Sequence, residues 1–560
     1  MRKNIIRYFI ALCGAFAIAC TASAQSTKWF KKARKAQLNI VTYGVDGQMI
    51  GSTNGFFIDT EGTALSDYIP FKGATRAVAI DESGKEYPVR CIAGASALYD
   101  VVKLRIDIKK STPLTIAVAN SLKGQTAYVM PYLSSKATVP TITTVDKAET
   151  FNERYAYYTL PVAVNEKSVS CPVMNDDGEV IGLVQMAASN SDNQCFAVSA
   201  DYVRSLATTA MSATFGDYRD ILIRKELPAD AEQANSFIYL LGTSDTTLYL
   251  DYVEDFITAF PNMENGYTMK GEMLSAKGDF EGAEQAWNVG LKSVTKKDEI
   301  YYSRSRTIYA AVQKTSIQLP EDWTLQRAEQ EIDAAYDIAP EAVYTAMKAH
   351  ILYSQKRYAE ACQLFIDVNK TNLRSAGNYL FAAQCQQMLG DTTAVLALQD
   401  SAVACYTKPY VPDAAPALLM RAQTLLALER FRDAVVDLND YEHLMSNSLN
   451  ANFYYQREQA EMRCRMYQQA LNDIERAAKM QPNEPLFQAE LAAVNYRFSQ
   501  FDEAADAARA AIALDNEFPE AFRILGLCLR QQGKEKEAKE AFQRAIDLGD
   551  ETAKNLINAQ

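Results

Sequence analysis

Several side chains able to act as nucleophiles lie close together in residues 165–184, which read NEKSVSCPVMNDDGEVIGLV. A serine hydroxyl becomes a nucleophile when a neighbouring base takes its proton, and a cysteine attacks as the thiolate. Lys167 beside Ser168 or Ser170 could form such a serine–lysine dyad. Adjacent lysine and serine residues are more often ordinary loop residues, because a dyad requires accurate positioning of both groups. Cys171 lacks a base in its own domain, which favours a structural or disulfide-bonded cysteine.

The same stretch has the pattern of two strands joined by a tight loop. Pro172 closes the loop, residues 175–178 form a polar turn, and Val180 to Val184 is an apolar strand. Upstream, short β-rich runs are separated by turns, with no helical periodicity between them. These runs are Leu38–Tyr43, Gly55–Ile58, Ala77–Ile80, Val101–Ile106 and Thr126–Met130. The spacing predicts an all-β barrel or sandwich over residues 25–210.

Four blocks of this region resemble bacterial trypsin-like serine proteases of the HtrA type, which have the chymotrypsin fold. The segment from Gly55 to Ala74 resembles the block that carries the family's histidine, and Tyr99–Leu104 resembles the block that carries its aspartate. Residues 165–184 resemble the serine loop, and Cys195–Leu206 resembles the last strand and terminal helix. The resemblance covers most of residues 38–206 and implies an N-terminal all-β double barrel.

The resemblance places the family's catalytic histidine, aspartate and serine positions at Ile69, Asp100 and Val169. A triad needs a hydroxyl nucleophile, an imidazole that takes its proton and a carboxylate that fixes the imidazole tautomer. Of the three, only the aspartate is retained, and the chain has two histidines, His350 and His443, both far downstream. The resemblance therefore implies a pseudoprotease, in which Asp100 has the structural role of binding nearby backbone.

The glycines that shape the family's oxyanion loop are replaced as well. They fall on Lys167, Ser170 and Cys171, and residues that carry a Cβ atom make such a strained loop harder to form.

The cysteines that follow the N-terminal segment are scattered and include no C-x-x-C pair. This pattern disfavours a zinc site, and no metal or other cofactor is predicted. A disulfide is permitted in an exported protein, and Cys171 with Cys195 is the first candidate pair.

The N-terminus has the pattern of a secretory signal peptide over residues 1–24. A basic start precedes a short apolar run, and Ala22-Ser23-Ala24 fits a cleavage site. The alternative is a lipoprotein anchored through Cys20, although residues 17–19 make a poor lipobox. No later apolar run reaches the roughly 18 residues of a membrane helix. We expect an exported protein, periplasmic in a bacterium, and the net charge of −12 argues against nucleic-acid binding.

From residue 229 to residue 557 the apolar pattern becomes helical and resembles tetratricopeptide repeats. A small residue at position 20 of each unit recurs at intervals of roughly 34 residues or somewhat more. These residues are Ala283, Ala328, Ala361, Ala394, Ala434, Ala470, Ala504 and Ala538. Eight or nine repeats are predicted, after a polar linker over residues 211–228. One repeat cannot bury its apolar face alone, so stacking into an all-α superhelix with a concave groove is expected.

Residues on the first helices that should face this groove are candidates for ligand binding. They are Thr268, Glu272, Tyr496, Arg523, Leu527 and Arg530. Their chemistry is mixed, so they predict a protein or peptide partner without identifying it.

The chain is thus predicted to be multidomain, and three functions are compatible with it. The first is an exported, non-enzymatic scaffold for protein–protein interactions that combines an inactive trypsin-like domain with the repeats. The second is a serine-type hydrolase with a non-standard nucleophile. The third is an envelope assembly factor whose repeats hold outer-membrane components. The oligomeric state is left open.

Overall fold

A computed structural model describes residues 29–132, 140–185, 193–242, 248–314 and 318–557. The predicted signal peptide, residues 1–24, and the alternative lipid anchor at Cys20 lie outside the described residues. The chain forms two compact units, Met1–Lys296 and Lys297–Gln560. No helix among the described residues has the length and apolar character needed to cross a membrane.

The first half of the β region is a closed barrel of six antiparallel strands in the order β1-β2-β3-β6-β5-β4. The strands are β1 (Gln37–Tyr43), β2 (Met49–Phe57), β3 (Thr63–Ser66), β4 (Arg76–Ile80), β5 (Glu86–Ser96) and β6 (Val101–Ile106). Alternate residues point inward, as the pleat requires, and Leu38, Ile40, Ala79, Val102 and Leu104 form part of the barrel core. The barrel predicted from the sequence is confirmed here.

The second half is a sheet in the order β8-β7-β11-β12-β13-β10-β9. Its strands are β7 (Thr126–Val129), β8 (Thr141–Thr144), β9 (Lys147–Phe151), β10 (Tyr155–Leu160), β11 (Pro172–Met174), β12 (Val180–Gln185) and β13 (Cys195–Ser199). The outermost strands, β8 and β9, are two halves of one bent segment. Backbone bonds continue through the bend, from Val145 N–H to Gln125 O and from Asp146 N–H to Thr159 O, each 2.9 Å. The bent segment therefore brings the second sheet round on itself.

A separate hydrophobic core joins the two halves. Phe56 and Leu65 of the first barrel contact Met174 and Val180 of the second sheet in this cluster. The helix over residues 29–36, α1, adds two buried alanines, and α2 (Ala200–Ser205) covers the same core. Burial of apolar area at roughly 25 cal/mol per Å² fixes the two halves against each other.

The segment predicted as a polar linker packs on the first barrel. Ile221 and Ile223 are buried in the barrel core. Ile92 N–H donates to Arg224 O, and Glu226 N–H donates to Ile92 O, each at 2.8 Å. The linker prediction weighed the many polar residues here and overlooked the short apolar run Ile221-Leu222-Ile223, of which the two isoleucines are buried and Leu222 is exposed.

The rest of the described chain is helical. In the first unit the helices are α3 (Ala231–Gly242), α4 (Tyr249–Ala259), α5 (Glu264–Ala276) and α6 (Phe280–Ser293). In the second unit they are α7 (Lys297–Val312), α8 (Leu325–Ile338), α9 (Ala342–Ser354), α10 (Tyr358–Val368), α11 (Ala376–Leu389), α12 (Thr392–Val403), α13 (Ala415–Ala427), α14 (Phe431–Met445), α15 (Ala451–Arg463), α16 (Tyr467–Met480), α17 (Pro485–Arg497), α18 (Phe501–Leu514), α19 (Pro519–Gln531), α20 (Glu535–Asp547) and α21 (Glu551–Ile557).

The alanines predicted at position 20 lie on the second helix of successive helix pairs. All are fully buried except Ala394, which is half-buried. In the last pair, Gly526 of α19 faces the ring of Phe542 of α20, and an added Cβ atom would lie 2.7 Å from the ring. Small residues thus allow the two helices of a pair to approach each other closely.

Replacing Gly526 by alanine should therefore destabilise the last helix pair. The clash with Phe542 should lower the free energy of unfolding by about 1–3 kcal/mol, partly offset by the better helix propensity of alanine. Urea unfolding followed by circular dichroism measures the change. The control is Gly377→Ala near the start of α11, where the nearest atom would be Ser375 Oγ at 3.7 Å. Equal stability of the two variants would contradict this role for Gly526.

Candidate functional site

A cavity of about 620 Å³ opens where the two β halves meet. Ile69 and Asp100 come from the first half and Val169 from the second, so all three positions given by the resemblance line the same cavity. The remaining lining residues are Asp67, Leu98, Tyr99, Tyr157, Val184 and Gln185. We call this cavity the β cleft. The three positions named from the sequence thus lie in one cavity, and the other six lining residues were not among the predicted site residues.

Asp100 holds the backbone at the histidine position. Its Oδ1 accepts hydrogen bonds from the N–H groups of Tyr68, at 3.0 Å, and Ile69, at 2.8 Å. The residue has a left-handed φ of 48°, which an aspartate tolerates better than most residues. The structural role expected for Asp100 is therefore present in its contacts.

Asp67 is a second carboxylate of the cleft, and it is 7% exposed. Its Oδ1 accepts hydrogen bonds from the hydroxyl groups of Thr53 and, at 2.8 Å, Ser170. Burial raises its pKa, and the neighbouring carboxylate of Asp100 acts in the same direction. Asp67 directly follows β3 and precedes Ile69 by two residues, which the sequence shows. Its burial, in contrast, depends on strands far apart in the chain.

The loop over residues 165–171 is bound to the first barrel through Asn54. The Asn54 amide donates to the carbonyl groups of Lys167, at 3.1 Å, and Val169, at 2.9 Å. Within the loop, Lys167 N–H donates to Asn165 Oδ1, and Ser170 N–H donates to Val184 O. With Ser168 N–H and Cys171 N–H, which donate to Asn165 O and Ser168 O, four backbone donors of the loop are engaged by protein atoms, whereas an oxyanion hole needs donors aimed at the reacting oxygen.

The alternative nucleophiles have unfavourable surroundings. Ser170 is 1% exposed and has a left-handed φ of 60°, and its hydroxyl already donates to Asp67. Lys167 is exposed to solvent, where its Nζ is held by no hydrogen bond or ion pair with the described residues. Burial raises the pKa of the Cys171 thiol to about 12, so the thiol is protonated at neutral pH.

The expected Cys171–Cys195 bridge is not present in the structure, where both residues are buried free thiols. The Cys171 sulfur accepts a hydrogen bond from Tyr132 N–H at 3.2 Å. Cys195 instead begins β13, opposite Leu160 of β10, and packs in the core of the second sheet. Burial raises the pKa of Cys195 to about 12 as well.

Loss of the Asn54 amide should loosen the loop. Asn54→Ala removes two hydrogen bonds to partly buried carbonyl groups, and we expect a loss of about 1–3 kcal/mol in unfolding free energy. Thermal and urea unfolding of the full chain provide the measurement. Asn120→Ala is the control, since that exposed side chain makes one bond, to Arg154 O, and should cost less than about 0.5 kcal/mol. An unchanged stability of Asn54→Ala would show that the loop is held by other contacts.

The second unit contains a cavity of about 610 Å³ between α17 and α19. Three groove candidates, Tyr496, Arg523 and Leu527, line it together with charged residues of both signs. Arg523 also bonds to Asp550 at 2.5 Å. Tyr496 lies on α17, and Arg523 and Leu527 lie on α19, the first helix of the next repeat. Equivalent helices of successive repeats stack side by side, so the repeat spacing alone predicts that these residues are close together.

The other groove candidates lie elsewhere. Arg530 donates to Leu556 O at 2.6 Å, and its guanidinium stands 4.7 Å from the centre of the Phe542 ring. It therefore packs against the last helices. Thr268 and Glu272 lie on α5 in the first unit, where the hydroxyl of Thr268 donates to Asn265 O.

Buried carboxyl groups surround Arg457 on α15, and one of them, Glu458, interacts electrostatically with Glu490 of the cavity between α17 and α19. Asp473 accepts two bonds from the Arg457 guanidinium, at 2.6 and 2.8 Å. Glu458 is fully buried, and its Oε1 has no hydrogen-bond partner among the described residues. Burial and the nearby Glu490 raise the pKa of Glu458 to about 8. Burial and the charge of Asp473 raise the pKa of Glu461 to about 8.

These raised pKa values predict that the array is more stable in mild acid than in mild base. A carboxyl group whose pKa is higher in the folded state favours folding most below its unfolded pKa, near 4.5. That contribution is lost as the pH rises through about 8. Urea unfolding between pH 6 and pH 9 should show a decline, and Glu458→Gln should reduce it by about 1–3 kcal/mol. Glu475→Gln, an exposed change on the neighbouring α16, should leave the decline unchanged.

The comparisons with known proteins agree with two kinds of domain. Residues 53–183 match the family model described as a trypsin-like peptidase domain. The small glutamine-rich tetratricopeptide repeat-containing protein 2 of Saccharomyces cerevisiae is 30% identical over 87 residues, which are 16% of this chain and 25% of that protein. Its counterpart in Mycosarcoma maydis is 31% identical over 87 residues, with the same coverage. The chain thus spans about a quarter of the length of these relatives.

Among solved structures, the serine endoprotease from Yersinia pestis is similar to 31% of this chain, with 14% sequence identity and a TM-score of 0.27. The match covers 67% of that chain.

The first unit therefore contains a trypsin-like peptidase domain, and the helices that follow form an array consistent with tetratricopeptide repeats.

Proposed function

We propose that this protein is an exported, non-enzymatic scaffold for protein–protein interactions, built from an inactive trypsin-like domain and a repeat array. The observation that carries the proposal is the chemistry of the β cleft. The side chains at the histidine and serine positions, Ile69 and Val169, are hydrocarbons, and both line the same cavity as Asp100. Neither can attack a carbonyl group or transfer a proton, and loss of triad members costs several orders of magnitude in rate.

No imidazole is available from the first unit, because the sequence has no histidine before His350. His350 lies on α9 in the second unit and packs edge-on against Phe365 and Phe381, with ring centres 5.0 and 4.7 Å away. Burial lowers its pKa. His443 lies in the last turn of α14. These positions support packing and surface roles for both histidines.

The repeat array supplies the surface for a protein partner in this proposal. The support is the similarity to proteins named for tetratricopeptide repeats and the cavity between α17 and α19. Tyr496, Arg523 and Leu527 offer an aromatic ring, a guanidinium and an aliphatic side chain to a peptide. Thr268, Glu272 and Arg530 remain further candidates from the repeat pattern.

The location of the protein is part of the proposal. The support is the signal-peptide pattern of residues 1–24, and the proposed location of the mature chain is a bacterial periplasm. Anchoring through Cys20 is the alternative form of export. Mass spectrometry of the mature N-terminus distinguishes them, since cleavage after Ala24 leaves Gln25 first and a lipoprotein begins with a modified Cys20.

The inactivity of the trypsin-like domain can be tested directly with the full-length mature protein. We expect no cleavage of casein and no labelling by a serine-reactive phosphonate probe, because the first unit has no imidazole and the Ser170 hydroxyl group, which is bonded to Asp67, is buried. An active trypsin-like protease under the same conditions is the positive control. Cleavage that is lost in Lys167→Ala or Ser170→Ala would overturn the proposal and establish the hydrolase alternative.

The assembly role differs from the general scaffold by its partner. Crosslinking in cells followed by purification from membranes should recover outer-membrane components if the protein serves envelope assembly. Recovery of a lone soluble species would count against that version.

A further inference from the structure

The β cleft is lined by acidic, polar and apolar residues and by no basic residue. Asp67 and Asp100 contribute two carboxyl groups, while none of the nine lining residues is lysine, arginine or histidine. Ile69 is 63% exposed and Leu98 is 83% exposed, so two large aliphatic side chains stand open to solvent at its rim. Exposed aliphatic groups that flank a polar cavity are a feature of binding sites.

Within the described part of the chain, one oxygen of each carboxyl group accepts no hydrogen bond from another residue. Both hydrogen bonds to the Asp100 side chain, from Tyr68 and Ile69, go to Oδ1. Asp67 also uses Oδ1, which accepts bonds from the hydroxyl groups of Thr53, Ser66 and Ser170. Among the described residues, no other residue donates a hydrogen bond to either Oδ2. Asp67 is 7% exposed and lines the cavity, so the cavity is the side from which a ligand can reach this carboxyl group.

The missing partner of these oxygens has a definite chemistry. A buried carboxylate without a cation is costly, and charge-assisted hydrogen bonds from an ammonium or guanidinium group are the strongest that can compensate it. In the catalytic arrangement an imidazole N–H would fill this place, but Ile69 has no donor. The raised pKa of Asp67, caused by burial and by Asp100, is the expected effect of two neighbouring acids without a cation between them.

The exposed aliphatic side chains of Ile69 and Leu98 indicate that the ligand has an apolar part as well as a cation. A lysine or arginine side chain has an aliphatic stem that can lie along apolar groups while its charged end reaches further. Ile69 and Leu98 can cover such a stem, and the rings of Tyr99 and Tyr157 also line the cavity. The net charge of −12 favours the approach of a cationic ligand.

We propose that the β cleft is a binding site for a lysine or arginine side chain of a partner protein, held by Asp100 and Asp67 between Ile69 and Leu98. The ligand's cation occupies the place that an imidazole would take in an active protease, so the cleft recognises a basic residue and leaves the peptide intact. This inference rests on the proposed non-enzymatic function and adds the chemistry of the partner.

Fluorescence anisotropy of the full-length mature protein tests the site. The probe is a fluorescein-labelled pentapeptide with a central lysine flanked by leucines, and its twin carries norleucine in place of lysine. We expect the lysine peptide to bind at least about tenfold more tightly, the usual effect of a hydrogen bond to a charged group. Equal affinity of the two peptides would overturn the proposal. Mass spectrometry of the recovered peptide separates this outcome from failure of the non-enzymatic function, which would show as cleavage.

A substitution at Asp100 tests whether its carboxyl group is responsible for the tighter binding of the lysine peptide. Asp100→Asn keeps an oxygen for the two backbone N–H groups and removes the charge, so the lysine peptide should lose about tenfold in affinity. Asp177→Asn, an exposed aspartate in the turn before β12, is the matched control and should bind like the unaltered protein. An unchanged affinity in Asp100→Asn would contradict the site.

A substitution at the rim keeps the test valid if Asp100→Asn misfolds. Ile69→Lys places a cation on an exposed position beside Asp100, where it should occupy the cleft and reduce binding of the lysine peptide at least about tenfold. Ile69→Met has a similar length without charge and should change the affinity less than about threefold. Equal effects of the two variants would overturn the proposal. Light scattering shows whether a second copy fills the cleft, in which case self-association that disappears in Asp100→Asn would also contradict it.

Discussion

The apolar core between the two β halves is the constraint on which the β cleft depends. This core is filled from both sides, by Phe56 and Leu65 of the first half and by Met174 and Val180 of the second. Asp100 and Ile69 leave the first half beside this core, and Val169 leaves the second. The cleft therefore lies where the two packed sheets meet.

Hydrogen bonds of two side chains then fix the backbone on both sides of the β cleft. Asp100 fixes the backbone at Ile69, and Asn54 binds the carbonyl groups of Lys167 and Val169. Both are short polar side chains that serve backbone groups which would otherwise be left without partners, and such groups are costly when buried. The contacts of Asp100 thus give it a structural role in this loop.

The helical array follows a different rule, in which each helix pair depends on its neighbours. Small residues such as Ala504 and Gly526 permit close approach of the two helices of a pair. The array also contains buried acids around Arg457, and ionisation of these acids destabilises the folded state as the pH rises. One of these acids, Glu458, interacts electrostatically with Glu490, which lines the cavity that holds Tyr496 and Arg523.

The sequence by itself determined the two kinds of domain, because strand alternation and repeat spacing are local patterns. It also determined the absence of a histidine before His350, which no folding can supply. It did not indicate Asp67 as a cleft residue, nor the packing of Ile221 and Ile223 on the first barrel. It suggested a bridge between Cys171 and Cys195, whereas the fold keeps both as buried thiols with separate surroundings. Each of these depends on contacts between segments far apart in the chain, so only the tertiary structure could decide them.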